Sequence, residues 1–207
     1  MSPLAVLALG YFMLSRLAYT VGVGSMLVRQ RDDQVFTRSR GVDAGYRRFR
    51  RYAAILMNND GVAFVALALV TMGSLDLPWV SRPVQIGVGT MLCVAGVGAK
   101  VWAASLLGDA GYHWKDFFGP HLEHELVREG PYRWFKNPMY TVGYAQTYGL
   151  ALILASWPAL AASAFAHAAI LAFYHVVEEP HVQRIETGQH ETPRRARATE
   201  PARRSTR

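Results

Sequence analysis

The sequence predicts an all-α integral membrane protein, a multi-span helical bundle of about five transmembrane helices. The first observation is that 51% of the 207 residues are hydrophobic while the net charge is +7, so apolar and basic residues must be segregated along the chain. The second is that the apolar runs are each about as long as the roughly 20 residues that a helix needs to cross the hydrocarbon core. A water-soluble helical bundle would instead show amphipathic stripes.

The five predicted spans are residues 4–28, 52–75, 84–107, 139–157 and 159–177. The first lacks a basic segment before it and is followed at once by Arg29 and Arg31, so we interpret it as a retained span rather than a cleaved signal peptide. The single cysteine, Cys93, lies inside the third span and has no partner for an intramolecular disulfide. Residues 1–187 therefore form one membrane domain, and residues 188–207 a basic, disordered tail.

Basic loops predict the orientation of the bundle. In the loop between the first two spans, arginines outnumber aspartates: Arg29, Arg31, Arg38, Arg40, Arg47, Arg48, Arg50 and Arg51. The positive-inside tendency places this loop in the cytoplasm, with the N-terminus outside and the C-terminal tail in the cytoplasm. The loop at residues 108–137 and the end of the last span then share the cytoplasmic face, where we expect the active site.

Two adjacent carboxylates, Glu178 and Glu179, stand at the end of the last apolar run. Neighbouring helix positions point about 100° apart, so both can serve one site only if one faces the bundle and the other a groove or the headgroup layer. Carboxylates at a helix C-terminus also oppose the macrodipole, which calls for a cationic ligand or a nearby Arg. The alternative is a solvated anchor at a helix end.

The third span contains two closely spaced glycines, Gly96 and Gly98. Spacing alone favours close helix packing there, because small residues let membrane helices approach each other. The functional alternative is a flat ligand lying against bare backbone. Lys100 lies further along the same span, and three interpretations of it stay open. Its side chain extends to the membrane surface, pairs with Glu178, or neutralises a lipid phosphate.

Asn137 and Pro138 form a helix start, since Asn is a good N-cap and Pro is tolerated at the first helical position. Hydroxyl and amide groups follow inside the predicted fourth span, where polar side chains usually face a cavity or a partner helix: Tyr140, Tyr144, Gln146 and Tyr148.

The loop at residues 112–119 mixes aromatic and charged side chains, as an interfacial belt or a cation–π surface for an ammonium headgroup would. His121 and His124 lie near Glu123 and Glu125, but no thiolate and no second matching pair accompanies them, so we predict no metal site.

Taken in order, four motifs resemble the phosphatidylethanolamine N-methyltransferase (phospholipid methyltransferase) family over residues 84–185. They are Gly96-Val97-Gly98, Asp116-Phe117-Phe118-Gly119, Asn137-Pro138-Met139-Tyr140 and Glu178-Glu179-Pro180. More distantly, residues 130–140 and the Glu pair look like the isoprenylcysteine carboxyl methyltransferases, in which a His occupies the position of Asn137. That departure argues against a prenylcysteine substrate.

The resemblance implies a catalytic core at about residues 84–185 that uses S-adenosylmethionine to methylate phosphatidylethanolamine or its methylated derivatives. The implied cofactor-binding residues are Gly96, Gly98, Asn137, Pro138, Tyr140, Glu178 and Glu179. The candidates for catalysis, as the base that deprotonates the amine, are Glu179, His113 and Tyr140. The expected substrate-binding residues are Tyr112, Trp114, Asp116, Phe117, Trp134 and Lys100.

Two other interpretations stay open at this point. One keeps the fold and donor but changes the acceptor to a small thiol, an isoprenoid acid or a prenylcysteine carboxylate. The other is a non-catalytic scaffold or small transporter, which would be expected to show charged or broken-helix elements near mid-membrane. The ionisable groups, apart from Lys100 and the histidines, are expected at one face, which favours an enzyme. The expected partner is a membrane lipid and no nucleic acid, and the sequence leaves the oligomeric state open.

Overall fold

The computed structural model describes residues 2–119 and 129–186, and all regular secondary structure within them is helical. Helix α1 (Pro3–Leu17) continues through a π-helical turn (Ala18–Gly22) into α2 (Val23–Asp33). The chain then forms α3 (Val42–Val70), α4 (Arg82–Tyr112), α5 (Ala145–Ile153) and α6 (Trp157–Phe173). A second π-helical turn (Tyr174–Glu178) leads into α7 (Glu179–Glu186), and short 3₁₀ turns occur at Lys115–Phe117, Gly130–Arg133 and Val142–Tyr144.

Within the described part of the chain, four helical segments are long and apolar enough to cross a membrane. They are Pro3–Asp33, Val42–Val70, Arg82–Gly108 and Trp157–Ile185. The third ends where Gly108 takes a φ of 63°, a left-handed conformation that favours glycine and interrupts α4. The predicted all-α, multi-span fold class is confirmed.

The fourth predicted span differs from the expectation in its length. Turns at residues 138–141 and the 3₁₀ turn Val142–Tyr144 take up its first part, and α5 contributes only 9 residues. Such a helix is about 14 Å long, less than half the roughly 30 Å of a hydrocarbon core. Hydropathy does not separate this short helix from a full span because both are apolar throughout. The total number of spans and the orientation of the termini stay predictions.

The turn between α5 and α6 is tied to the end of α3. Gly73 N donates to Leu154 O at 3.0 Å and Leu75 N donates to Ala155 O at 2.7 Å. The Thr71 and Ser156 hydroxyls lie 2.6 Å apart, and Ser156 also caps α6 by accepting from the Ala159 amide at 3.0 Å. These bonds satisfy backbone groups at a helix reversal and fix the end of the bundle away from the Glu pair.

The opposite end gathers the loops that carry the candidate site. The Phe36 ring lies 6.1 Å from Phe118, and the Phe49 ring lies 6.3 Å from Trp114. The first loop and the aromatic loop therefore meet beside the end of the last long helix. The π-helical turn Tyr174–Glu178 shifts the helical register at the first of the two carboxylates, as such turns often do at functional sites.

Helices α4 and α5 pack through a seam of small residues. A Cβ on Gly149 would meet the Cys93 amide nitrogen at 2.7 Å and the Cys93 Sγ at 2.8 Å. On the facing helix, a Cβ on Gly89 would lie 2.8 Å from Gly149 O. The two backbones approach each other this closely only because neither glycine carries a side chain.

We predict that Gly149→Ala destabilises the protein, because the added methyl group must push α5 away from α4. Overpacking of this kind costs about 1–3 kcal/mol, which would lower the thermal unfolding midpoint measured in detergent by intrinsic fluorescence. The matched control is Gly10→Ala on α1, where a Cβ meets no atom within 4 Å. An unchanged midpoint for Gly149→Ala, beside an unchanged control, would contradict the seam.

Candidate functional site

The Glu178 carboxylate is the point at which three separate motifs meet. Its Oε1 atom accepts a hydrogen bond from Trp114 Nε1 and another from the Tyr140 hydroxyl, each at 2.6 Å. Trp114 is buried and takes a φ of 54°, a backbone conformation unusual for a bulky residue. The aromatic loop, the turn after Asn137 and the end of the last helix are thereby joined through one acceptor atom.

Glu179 points in a different direction from its neighbour. Its Oε2 lies 2.7 Å from His175 Nδ1, and its Oε1 lies 3.6 Å from Lys136 Nζ. The divergence is what 3.6 residues per turn requires of adjacent positions. Glu178 therefore faces the interior of the bundle, and Glu179 belongs to a charged cluster at its surface.

A cavity of about 470 Å³ lies between α1, α3, α4 and the segment at residues 139–150. Its volume is within the range of small-molecule sites, about 300–1,000 Å³. Four predicted site residues are at its wall: Lys100, Tyr112, Trp114 and Tyr140. Val65 of α3 and Val97 of α4 also line it and are 42% and 48% exposed, so the cavity reaches the outer surface of the bundle between these helices.

An ion pair lies inside this cavity. Arg16 Nη2 is 2.5 Å from Asp60 Oδ2, and Arg16 Nη1 donates to the Tyr144 hydroxyl at 2.9 Å. Lys100 Nζ stands 5.0 Å from the centre of the Tyr144 ring. The wall of the cavity thus combines two cations, one carboxylate and an aromatic hydroxyl.

The expectation that ionisable groups other than Lys100 and the histidines collect at one face is wrong. Arg16 and Asp60 are 4% and 5% exposed and belong to two of the long apolar helices. The sequence analysis passed over Arg16, although an arginine inside an apolar run is itself a signal of function. The two residues add a polar site to the bundle interior, so the position of ionisable groups no longer argues against a transporter.

The two glycines of the third span have different surroundings. A Cβ on Gly96 would collide with the Gln146 amide nitrogen and lie 3.0 Å from Gly143 O, so Gly96 belongs to the packing seam between α4 and α5. Gly98 has no atom within 4 Å of its Cβ position and is exposed. Only Gly98 presents open backbone, and neither glycine is at the wall of the cavity.

Asn137 and Pro138 hold Tyr140 in place. The Asn137 Oδ1 atom accepts from the Tyr140 amide at 3.2 Å, and the Thr141 hydroxyl donates to Asn137 O at 2.9 Å. Pro138 is fully buried. The Asn side chain is therefore engaged in capping the turn that aims the Tyr140 hydroxyl at Glu178.

The other predicted residues lie around the cavity rather than in it. Asp116 Oδ2 is 3.3 Å from His181 Nε2, and the Phe117 ring stacks on His181 at 3.6 Å. The His113 ring lies 4.8 Å from the Tyr112 ring and does not line the cavity. Trp134 is 68% exposed and lies 6.4 Å from the Trp102 ring.

Sequence analysis also passed over Tyr132. Burial raises the pKa of Tyr132 well above its usual value, and the nearby Glu178 carboxylate adds to that rise. Its hydroxyl is therefore protonated at neutral pH. Tyr132 lies within residues 130–140, which carry the more distant resemblance, but nothing in that pattern distinguishes it from the neighbouring aromatic residues.

The described residues contain no group of three or more His, Cys, Asp or Glu side chains that could hold a metal ion. The histidines considered for such a site, His121 and His124, lie outside the described residues. The polar groups that do converge are a carboxylate, aromatic rings and hydroxyls. This set suits a cationic organic ligand, which carboxylates attract by charge and aromatic faces by cation–π interaction.

Comparisons with known proteins place part of the chain in a described family. Residues 84–185 match the model of the family described as phospholipid methyltransferase. The chain is 31% identical over 147 residues to a phosphatidylethanolamine N-methyltransferase of Meyerozyma guilliermondii, with 66% of the chain and 17% of that protein covered. It is 33% identical over 136 residues to the enzyme of that name from Schizosaccharomyces japonicus, with 66% of the chain and 15% of that protein covered.

The chain thus spans about a sixth of the length of the curated relatives it matches. No solved structure matches it significantly. The relationship is carried by sequence, and the matched segment contains the Glu178 carboxylate together with Trp114 and Tyr140. The predicted resemblance is confirmed: through residues 84–185, the chain belongs to the phospholipid methyltransferase family.

Proposed function

We propose that the protein is a membrane methyltransferase that transfers a methyl group from S-adenosylmethionine to the amine of phosphatidylethanolamine or of its monomethyl and dimethyl derivatives. The observation that carries this proposal is the Glu178 carboxylate, held at 2.6 Å by Trp114 and Tyr140, both of which line the cavity. All three residues belong to the segment shared with the family.

The residues present fit S-adenosylmethionine in charge and in size. When bound, that cofactor supplies a methyl carbon on a sulfonium; the amine lone pair forms the new N–C bond while the C–S electrons go to sulfur. The rings of Tyr112 and Trp114 at the cavity wall attract a cationic donor of this kind. The Glu178 carboxyl group, which is hydrogen-bonded to Trp114 and Tyr140, adds a longer-range attraction when it is ionised. The cavity of about 470 Å³ falls within the usual range for cofactor sites.

The main task of the protein in this reaction is alignment. Trp114 and Tyr140 fix one oxygen of Glu178 from two directions, and Asn137 fixes Tyr140 through its amide. A site held this rigidly keeps reacting groups in a near-attack geometry, the principal source of rate in a displacement reaction.

An ammonium group must lose a proton before its nitrogen can attack. Of the three candidate bases, Tyr140 lines the cavity, whereas His113 and Glu179 do not. Because the Tyr140 hydroxyl donates to Glu178 at 2.6 Å, it can accept the amine proton only while its own proton passes to the Glu178 carboxylate. We infer that Tyr140 and Glu178 act as this pair.

The acceptor enters from the bilayer, and the donor from the cytoplasm. The opening at Val65 and Val97 lies on the outer surface of the bundle, where acyl chains are found. The Glu pair stands at the end that also carries the Arg-rich first loop, which the positive-inside tendency assigns to the cytoplasm.

We predict that purified wild-type protein converts phosphatidylethanolamine into methylated derivatives with labelled S-adenosylmethionine, and that Glu178→Gln lowers the rate about tenfold to a hundredfold. The expected loss corresponds to the roughly 1.5–3 kcal/mol of hydrogen bonds to a charged group. Mass spectrometry of the lipid products measures both.

The matched control for this change is Glu129→Gln, an exposed carboxylate in the described part of the chain. Its rate should equal that of the wild type. An unchanged rate for Glu178→Gln would remove Glu178 from the reaction, and no methylated lipid from folded wild-type protein would overturn the proposed function.

We predict different outcomes for the two glycines of the third span. Gly96→Leu should unfold the seam between α4 and α5, whereas Gly98→Leu should fold normally because its Cβ position is open. If the cofactor lies against Gly98, isothermal calorimetry with S-adenosylhomocysteine will show weakened binding for Gly98→Leu at an unchanged unfolding midpoint. Wild-type affinity in that variant would exclude Gly98 from the cofactor site.

We predict that the end of the bundle carrying the Glu pair faces the cytoplasm. In a Cys93→Ala background, a single cysteine at Ser39 should be labelled by a membrane-impermeant maleimide only after intact cells are opened. A cysteine at Ser74, at the opposite end, should be labelled without opening them. The reverse pattern would invert the orientation.

A further inference from the structure

We infer that Arg16 and Asp60 form a headgroup site that holds the phosphate and the amine of an ethanolamine phospholipid and distinguishes an amine bearing N–H groups from a trimethylated one. The inference rests on the proposed function and assigns the acceptor to a particular wall of the cavity. Both residues lie outside residues 84–185, the segment that matches the family model.

Burying the Arg16–Asp60 ion pair costs solvation free energy, so its position calls for a functional explanation. Arg16 and Asp60 are 4% and 5% exposed and lie 2.5 Å apart inside helices that have the length and composition of membrane spans. Ionisable residues in such segments are rare and usually mark substrate or ion pathways. An ion pair of this kind contributes little net stability compared with packed apolar residues of similar volume. Fold stability alone therefore does not explain the pair.

The pair also has hydrogen-bonding capacity that the protein does not use. Among the described residues, neither Arg16 Nε nor Asp60 Oδ1 has a hydrogen-bond partner, although both atoms are buried. Both residues line the cavity. Buried polar groups in proteins are almost always partnered. A ligand that satisfies these two atoms must present an acceptor to the guanidinium and an N–H donor to the carboxylate.

The charge around the pair selects the acceptor group. Lys100 Nζ lies 5.0 Å from the centre of the Tyr144 ring, and the hydroxyl of the same Tyr144 accepts from Arg16 Nη1 at 2.9 Å. Two cations and the single carboxylate of Asp60 leave one positive charge in excess on this wall. A phosphodiester carries one negative charge and several acceptor oxygens, which arginine binds well.

The access route favours a lipid as the source of this zwitterion. The methionine end of S-adenosylmethionine also carries an anion beside an amine, so the chemistry alone does not separate the two. The cavity, however, reaches the outer surface of the bundle at Val65 and Val97, between α3 and α4. A ligand entering there comes from the hydrocarbon side.

Asp60 would then sense the methylation state of the headgroup. An ethanolamine ammonium carries three N–H groups, each methylation replaces one of them, and the trimethylated product has none. A carboxylate oxygen that accepts from N–H loses its partner at the last methylation. The site therefore releases the final product, even though choline and ethanolamine headgroups carry the same phosphate.

The test compares wild-type protein with the double variant Arg16→Gln/Asp60→Asn, which removes both charges together and leaves no unpaired ion behind. Binding of short-chain phosphatidylethanolamine, its dimethyl derivative and phosphatidylcholine is measured in detergent by native mass spectrometry. For the wild type we expect the first two lipids, which both carry an N–H group, to bind alike, and phosphatidylcholine to bind about tenfold more weakly, the size of one hydrogen bond to a charged group. For the double variant we expect weaker binding and less than about a twofold difference between the lipids.

The matched control is Arg31→Gln/Asp32→Asn, which removes another Arg–Asp pair, with Nε 2.8 Å from Oδ1, at the surface of α2. It should behave as the wild type. A second variant, Arg16→Asp/Asp60→Arg, restores an ion pair with its direction reversed. If the pair binds the headgroup, the reversed variant should fold and still lose the preference for N–H-bearing lipids. This variant gives an answer even if the neutral double variant fails to fold.

The remaining outcomes separate this inference from the proposed function. If the double variant keeps the lipid preference, the headgroup site is overturned. If it loses S-adenosylhomocysteine binding by calorimetry while lipid binding is unchanged, the pair holds the donor and the inference is wrong. If wild-type protein binds the lipids with the expected preference but methylates none of them, the proposed function fails and the headgroup site stands.

Discussion

The arrangement of this protein depends on how a carboxyl group is held at the end of an apolar bundle. Glu178 is half-buried there, and it accepts two hydrogen bonds at 2.6 Å from residues far apart in the chain. A polar group taken out of water needs such partners. Trp114 can donate because its backbone takes a left-handed turn after α4, and Tyr140 can donate because Asn137 caps the turn before α5. The local conformations of both loops are therefore tied to one acceptor.

A second constraint comes from the close contact of α4 and α5. The short helix lies against the long one because glycines occupy the contact: Gly89, Gly96, Gly143 and Gly149. This contact sets the position of Tyr144 and Lys100 at the cavity wall. On the other side of the cavity, large buried apolar side chains pack α1, α2, α3 and α6 together: Phe12, Leu27, Phe49, Leu67 and Ile170. The cavity lies between a tightly packed helical hairpin and a conventional apolar core, and its polar groups are contributed by both.

Much of this could be predicted from the sequence, and the failures have physical reasons. The long apolar runs gave the fold class, and the spacing of adjacent helix positions gave the divergence of Glu178 and Glu179. The length of α5 could not be predicted, because hydropathy reports how apolar a segment is and not how many of its residues are helical. The Arg16–Asp60 pair was missed because the two residues lie 44 positions apart and nothing in the sequence shows that they meet. Arg16 is an isolated exception to an apolar run, and Asp60 directly follows two asparagines in another. Gly96 and Gly98 look identical in sequence, yet only three-dimensional packing shows that one faces a neighbouring backbone and the other open space.

The opening between α3 and α4 has a consequence for how the concentration of an acceptor should be understood. A lipid that enters past Val65 and Val97 never leaves the plane of the bilayer, so its encounter with the protein is a search in two dimensions. Saturation of the proposed reaction would then follow the fraction of membrane lipids that are acceptors, and diluting the membranes in buffer would not change it. Other lipids compete for the same opening at all times. The protein is thereby exposed directly to the composition of the membrane that its proposed product would alter.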